Sequence, residues 1–330
     1  MADLISGYNI VRKVGEGARS VVYQVVDPTT GKTYALKRVT RQQHEDHRFL
    51  EQAVIGYRVA AGLNHPYLQK AYHLKRIRRW LRLTEVHVVM EFVDGVSLDK
   101  RRPERIDETV DLFLKIAEGL DAMHAANYLH TDIKPNNILI PLGGGVKIID
   151  FGQSCPIGFR KPRIQGTPDY IAPEQVERRH LTKQTDVFNL GATLYWALSG
   201  QAYPTLITRK GKRHDAKTLA ANPAPAPQDL NPEIPSALSR LVMEACAHDP
   251  HRRPRDLKEI ISKLEMVHHV LARRKQAGHD MSAGVRPTAS PAELLGHPVG
   301  PDADDTYDFS ALGELSPRMP PKDQKRGEAS

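Results

Sequence analysis

A chain of 330 residues, 40% hydrophobic and 26% charged, is long enough to bury about two lobes; no apolar run approaches the ~20 residues that cross a bilayer, and Met1 to Gly7 lacks a basic-then-apolar leader. Two cysteines, Cys155 and Cys246, are too few for a disulfide framework or a zinc site, so a soluble cytoplasmic protein in a reducing compartment is expected. The net charge of +8 raises nucleic acid as a partner, but the basic clusters Lys75–Arg82, Arg160–Arg163 and Arg209–Arg213 are dispersed and not interleaved with aromatics. The excess is read as solvated surface, or as attraction for acidic or phosphorylated partners.

In chain order, Tyr8 to Val14 alternates like a strand and breaks at Gly15-Glu16-Gly17, and Ser20 to Val26 resumes a β-branched run, which predicts a hairpin with a Gly-rich turn. Such a turn lets backbone N–H groups approach phosphate oxygens with no Cβ in the way. A second turn, Asp27 to Gly31, leads to a strand over Thr33 to Val39 that contains Lys37. A lysine in an apolar strand either faces outward or waits for an anion. Helical spacing runs from about Gln42 to Leu63, with Phe49, Leu50, Ala53, Val54 and Tyr57 on one side, and Asn64-His65-Pro66 stops it. Two strands are expected near Leu68–Leu74 and Val86–Phe92, with Lys75 to Arg82 as the loop between them.

Beyond Gly95 the pattern turns helical. Asp107 starts a long amphipathic helix whose apolar face is Val110, Leu112, Phe113, Ile116, Ala117 and Leu120. Two short strands joined by Gly143–Gly145 end at Asp150-Phe151-Gly152, where a carboxylate is placed to reach a metal. Helices are expected over Val187–Leu198, Ser236–Ala247 and Arg255–Lys275, with a Pro-rich surface loop from Ala220 to Pro235. From Gln276 to Ser330 periodicity disappears and Pro, Gly, Ala, Ser and Asp dominate, so a disordered tail is expected, with Ser290-Pro291 and Ser316-Pro317 as sites open to modification.

One stretch, His130 to Leu139, concentrates polar chemistry between apolar runs. Asp132 can accept a hydroxyl proton, Lys134 can neutralise phosphate charge, and the Asn137 oxygen can hold a magnesium ion. A polar turn capping a helix would use the same residue types. What separates the two readings is the set of motifs around the stretch, in order.

Together these residues resemble a protein kinase of the eukaryotic Ser/Thr (Hanks) type over roughly residues 8–270, with a soluble bacterial member as the expectation. The resemblance implies an α+β, bilobal fold: a small β-rich lobe over 8–94, a larger mainly helical lobe over 95–275, and the tail over 276–330. It implies ATP between the lobes, covered by Gly15, Glu16, Gly17 and Val22, lined by Ala35 and Leu139, and held at its adenine by Glu91 and Val93 with Met90 behind. Lys37 in Tyr34-Ala35-Leu36-Lys37 matches the lysine that pairs the α- and β-phosphates. Asp132 matches the catalytic base, Lys134 the lysine at the γ-phosphate, and Asn137 and Asp150 the Mg²⁺ ligands. Ala172-Pro173-Glu174 resembles the end of the activation segment, Arg253 the buried partner of Glu174, and Asp186 the carboxylate that holds the catalytic loop. Thr167 together with Lys134 is the Ser/Thr rather than the tyrosine pattern.

Three positions depart from that pattern. Ser20 stands where a third glycine is usual, which implies looser clamping of nucleotide. Thr131 replaces the arginine that in many kinases receives a phosphate on the activation segment, so activity independent of that modification is expected. The helix glutamate that would pair with Lys37 should fall near Gly56–Arg58, which holds no acid; Glu51, with Glu45 behind it, is the nearest candidate, and a solvated Glu51 is the alternative. The expected function is transfer of the ATP γ-phosphoryl group to protein Ser/Thr hydroxyls. A pseudokinase acting as a nucleotide-binding interaction module is the alternative, and an aminoglycoside-kinase type would lack the Ala172–Glu174 and Arg253 features. Cys155 is read as an inert loop thiol.

Overall fold

The computed structural model describes residues 4–43, 46–208, 213–214 and 216–282. Glu45, most of Arg209–Arg213, and both Ser-Pro pairs of the tail lie outside them.

The first lobe is one antiparallel sheet with a helix against it. Its strands are β1 (Leu4–Ile5), β2 (Tyr8–Gly17), β3 (Ser20–Val26), β4 (Thr33–Thr40), β5 (Ala71–Arg79) and β6 (Arg82–Glu91), in the order β1-β2-β3-β4-β6-β5. Period-two alternation divides the sheet's faces. Val25, Leu36 and Val89 bury against Ile5, Tyr8, Ile10, Tyr23 and Tyr34 on the outer face, so Ala35 and Lys37 point to the other. Val22 sits directly opposite Lys37 and Met90 opposite Ala35, which puts these side chains on the same inner face. Helix α1 (His47–Gly62) packs under that face through Leu50, Ala53, Val59 and Ala60.

The basic cluster Lys75–Arg79 is strand rather than loop, because β5 and β6 pair all the way to a two-residue turn at Trp80-Leu81. Tertiary pairing here overrides the low strand propensity of a run of cations.

The second lobe begins with β7 (Gly95–Ser97) and α2 (Ile106–Ala125), whose predicted apolar face is fully buried. Short strands β8 (Tyr128–Leu129), β9 (Ile138–Pro141), β10 (Lys147–Ile148) and β11 (Cys155–Pro156) follow; β9 pairs with β7 and β10, and β8 with β11. Then come α3 (Pro173–Val176), α4 (Lys183–Ser199), α5 (Ala216–Ala221), α6 (Pro227–Leu230), α7 (Ser236–Ala245) and α8 (Leu257–Ser282). Every residue of α4 from Thr185 to Tyr195 is buried, with Val187, Phe188, Leu190, Leu194 and Tyr195 all in the core, which is the environment of a central helix.

Helix α8 continues past Lys275, the end expected from composition, as far as Ser282. One continuous apolar core joins the lobes, running from Val39, Leu50 and Val88 above to α2, α4, α7 and α8 below. The chemistry-bearing residues gather along the cleft beside it.

Candidate active site

The catalytic-loop candidates are held from below by buried charge. Asp186, at the start of α4, accepts backbone N–H bonds from His130 (2.9 Å) and Thr131 (2.7 Å) and a side-chain bond from His124 (2.8 Å). Burial alone would raise its pKa, but His124 and these donors outweigh that and lower it. The loop backbone is thus clamped just before Asp132, and Thr131 takes a left-handed φ of 63°. His130 rests edge-on against Phe151, 5.6 Å between rings, which ties the loop to the Asp150 turn.

Asp132 is buried but well supplied with donors. Its Oδ1 accepts from the Thr167 hydroxyl at 2.7 Å, and its Oδ2 from Asn137 Nδ2 at 3.2 Å, with Lys134 Nζ 3.7 Å away. Asn137 Nδ2 also donates to the Asp132 carbonyl at 2.8 Å, which commits the amide nitrogen and leaves its oxygen for a cation. Asp150 ends the strand region in a left-handed conformation (φ 61°), with Oδ1 accepting from Gly152 N–H. Its Oδ2 lies 3.2 Å from Lys37 Nζ. Burial pushes the Asp150 carboxyl up, but Lys37 and Lys134 pull it down to about 2, so it is ionised at neutral pH.

Lys37 therefore pairs with Asp150, and not with Glu51. Glu51 is 61% exposed and bonds His47 one turn before it, on the solvent side of α1. At Gly56, one of the positions where the family pattern puts the glutamate, an added Cβ would lie 3.1 Å from Gly152 N and 3.3 Å from the Phe151 carbonyl carbon. The helix backbone rests on the Asp150 turn so closely that a side chain here would push that turn away by a few tenths of an ångström. Lys37 is left with the carboxylate from below.

The Gly-rich hairpin crosses above. An added Cβ at Gly15 would meet only Val22, at 3.8 Å, so glycine there keeps the inner face bare rather than easing the backbone. Arg19, at the tip, donates to Asp46 Oδ1 (2.9 Å) and Gln42 Oε1 (3.0 Å), tethering the turn to the start of α1. The same Arg19 bond holds the Asp46 carboxyl down at about 2. Ala35 is buried, and Val22, Leu139 and Met90 are half-buried around the same cleft. Glu91 is the last residue of β6 and is paired with Lys147 at 2.8 Å, so Val93 follows it outside the sheet ladder.

Two residues that sequence reasoning passed over complete the site. Lys161 is buried, donating to Thr131 Oγ1 (2.6 Å) and the Gln153 carbonyl (2.7 Å), while Thr131 Oγ1 donates to the same carbonyl (2.8 Å). Burial pulls its pKa down to about 8, against the field of Cys155, Asp132 and Asp186. Gln175 donates to the Thr131 carbonyl (2.8 Å) and the Gln165 carbonyl (2.9 Å), and accepts from Ala172 N–H and Asn189. No local motif marks either residue; apart from Ala172, their partners lie 8 to 44 positions away. Below them Arg253 forms two bonds to Glu174 (2.8 and 3.0 Å) and caps the Ala247, Gln184 and His248 carbonyls. Cys155 is buried in β11 and its thiol is pushed up to about 11, which agrees with an inert role.

A sheet lobe with an inward lysine, set over a helical lobe with an Asp-Lys-Asn loop and a second Asp at a turn, defines the bilobal phosphotransferase class. The chain belongs to the protein kinase domain family, which it matches over residues 8–268. It is 28% identical over 272 residues to the probable serine/threonine-protein kinase PknB of Lactococcus lactis, covering 78% of this chain and 41% of that protein. It is 31% identical over 277 residues to the serine/threonine-protein kinase PknK of Mycobacterium tuberculosis, covering 81% and 24%. The serine/threonine-protein kinase PknA of the same species is 30% identical over 241 residues, covering 69% and 54%. The chain thus spans only part of the length of these relatives.

Proposed function

We propose that this chain is a Ser/Thr protein kinase that transfers the γ-phosphoryl group of Mg-ATP to protein hydroxyls. The observation that carries the reading is the convergence of Asp132, Lys134, Asn137, Asp150 and Lys37 on one cleft. The Asn137 amide oxygen and the ionised Asp150 form a hard-oxygen donor set that fits Mg²⁺. When bound, Mg²⁺ neutralises charge on the phosphates. Lys37 aligns the phosphate chain under the Gly15–Val22 hairpin, and Glu91 and Val93 offer backbone groups to the adenine. Asp132, already a hydrogen-bond acceptor from Thr167, orients a substrate hydroxyl and takes its proton, while Lys134 offsets charge on the transferring group. The intact set of charged groups weighs against the pseudokinase alternative. Two buried free thiols fit a reducing cytoplasm, and no helix among the described residues is long and apolar enough to cross a membrane.

We further read Lys161 as the reason that this enzyme does not depend on phosphorylation of its activation segment. The ammonium of Lys161, itself part of that segment, ties it to Thr131, the position where a phosphate-binding arginine is absent. An assay with Mg-ATP, a protein substrate and mass-spectrometric phosphosite mapping tests the activity, with Asp132→Asn as the inactive control. Phosphatase treatment of the purified chain is expected to leave turnover intact; abolished turnover overturns the second reading without touching the first.

A further inference from the structure

The β5–β6 hairpin carries two apolar side chains where nothing covers them. Trp80 and Leu81 are each 97% exposed, at the apex of a two-residue turn flanked by the Arg79–Arg82 pair. Trp80 has a φ of 59°, in a position where hairpins ordinarily use Gly, Asn or Asp. A bulky residue with positive φ and a wholly solvated ring is an outlier on two counts.

Behind the apex stand Lys75, Arg76, Arg78, Arg79 and Arg82, all exposed. Among the described residues none of the five has an ion-pair partner, and Glu85 on the same hairpin is taken by Arg38 and His87. Period-two alternation puts these cations on both faces of the hairpin over roughly 13 Å of β5, and the register shifts between Ile77 and Arg78. Cations on an edge strand guard against edge-to-edge pairing. That role accounts for charge along β5, the edge of the sheet, but not for Arg82 on β6 or for an apolar apex.

We propose that this hairpin tip docks on a bilayer surface rich in anionic lipid headgroups, with Trp80 and Leu81 at headgroup depth and the five cations over the phosphates. Trp is favoured at that depth, and each Lys or Arg near an anionic leaflet raises partition about fivefold. A convex apex of two side chains offers far less than the ~800 Å² per partner of a stable protein interface, whereas at a membrane surface apolar burial and attraction of cations to anionic lipid add together. None of the residues assigned to the cleft belongs to the tip.

The test is cosedimentation of the full chain with vesicles of phosphatidylcholine containing about a quarter phosphatidylserine, against phosphatidylcholine alone. Wild type is expected to bind the anionic vesicles and scarcely the neutral ones, with Trp80 emission shifting to shorter wavelength and quenched by brominated lipid. The other tryptophan, Trp196, packs against the core and is expected to stay unquenched. Arg78→Glu with Arg79→Glu is expected to weaken binding at least ~25-fold. Trp80→Ser with Leu81→Ser is expected to abolish the fluorescence response and weaken binding about tenfold, with soluble kinase turnover unchanged. Failure of wild type to bind, absence of the Trp80 shift on binding, or equal binding by the Ser variant each overturns the proposal. Retention on an acidic protein without vesicle binding does so too.

Discussion

The two halves of the cleft are built differently. In the lower half, charge is buried and fully engaged: the Arg253 and Glu174 side chains are 0% and 4% exposed, and Asp186 is completely covered. In the upper half, Lys37 is 24% exposed and its partner Asp150, reaching up from the lower lobe, is 36% exposed, and the Gly-rich hairpin is tethered by Arg19, itself partly exposed. Buried, multiply bonded charges cannot shift without leaving a partner stranded, so they hold Asp132 in one geometry. Partly exposed pairs are worth little in stability and exchange readily. On the proposed function, the half that would place a proton acceptor is rigid, and the half that would admit and release a nucleotide is adjustable.

That contrast can be broken from either side. The largest effect is expected for Asp132→Asn, which should lower kcat by about 10³-fold while nucleotide binding, measured by titration, survives. A wild-type rate in this variant would end the assignment of the base. Arg253→Ala strands Glu174 in the core and should reduce the free energy of unfolding by about 3–5 kcal/mol in urea denaturation.

Lys161→Met separates function from stability. A lysine pKa lowered to about 8 from 10.5 means that the unfolded chain holds this proton more tightly. This group's contribution to stability is therefore unfavourable below pH 8 and recovers as pH rises toward 10.5. The Met variant should hold or gain stability at about pH 7 yet lose about tenfold in kcat, because the segment loses its tie to Thr131. Lower stability with unchanged kcat would reverse that reading. The smallest effect belongs to the adjustable half: Arg19→Ala should raise KM for ATP a few-fold and change stability by no more than about 1 kcal/mol. A fall in kcat as large as that of Lys161→Met would erase the distinction between the halves.

The short motifs were legible because their chemistry demands fixed residue types at fixed spacing. Asp132, Lys134 and Asn137 lie within one loop, and Lys37 is marked by being a charge inside an apolar strand. Periodicity gave the buried face of α2 residue by residue. It could not give the rotation of α1 about its axis relative to β4, so Glu51 looked available when it faces solvent. The strand over Lys75–Arg79 was missed because cations are poor strand formers and only pairing with β6 overrides them.

From its sequence alone, local spacing determined this protein's set of charged groups, and the resemblance of its motifs to a known family implied the family and its bilobal order of elements. The tertiary structure decided which groups meet. Gly56 is an ordinary helix residue until α1 is set on the Asp150 turn, where its backbone packs against Gly152, and Lys37 meets Asp150 only across the lobes. Lys161 is one cation among many until folding buries it against Thr131. Contacts between residues far apart in the chain depend on backbone distances of a few tenths of an ångström, and no pattern of residue types encodes those.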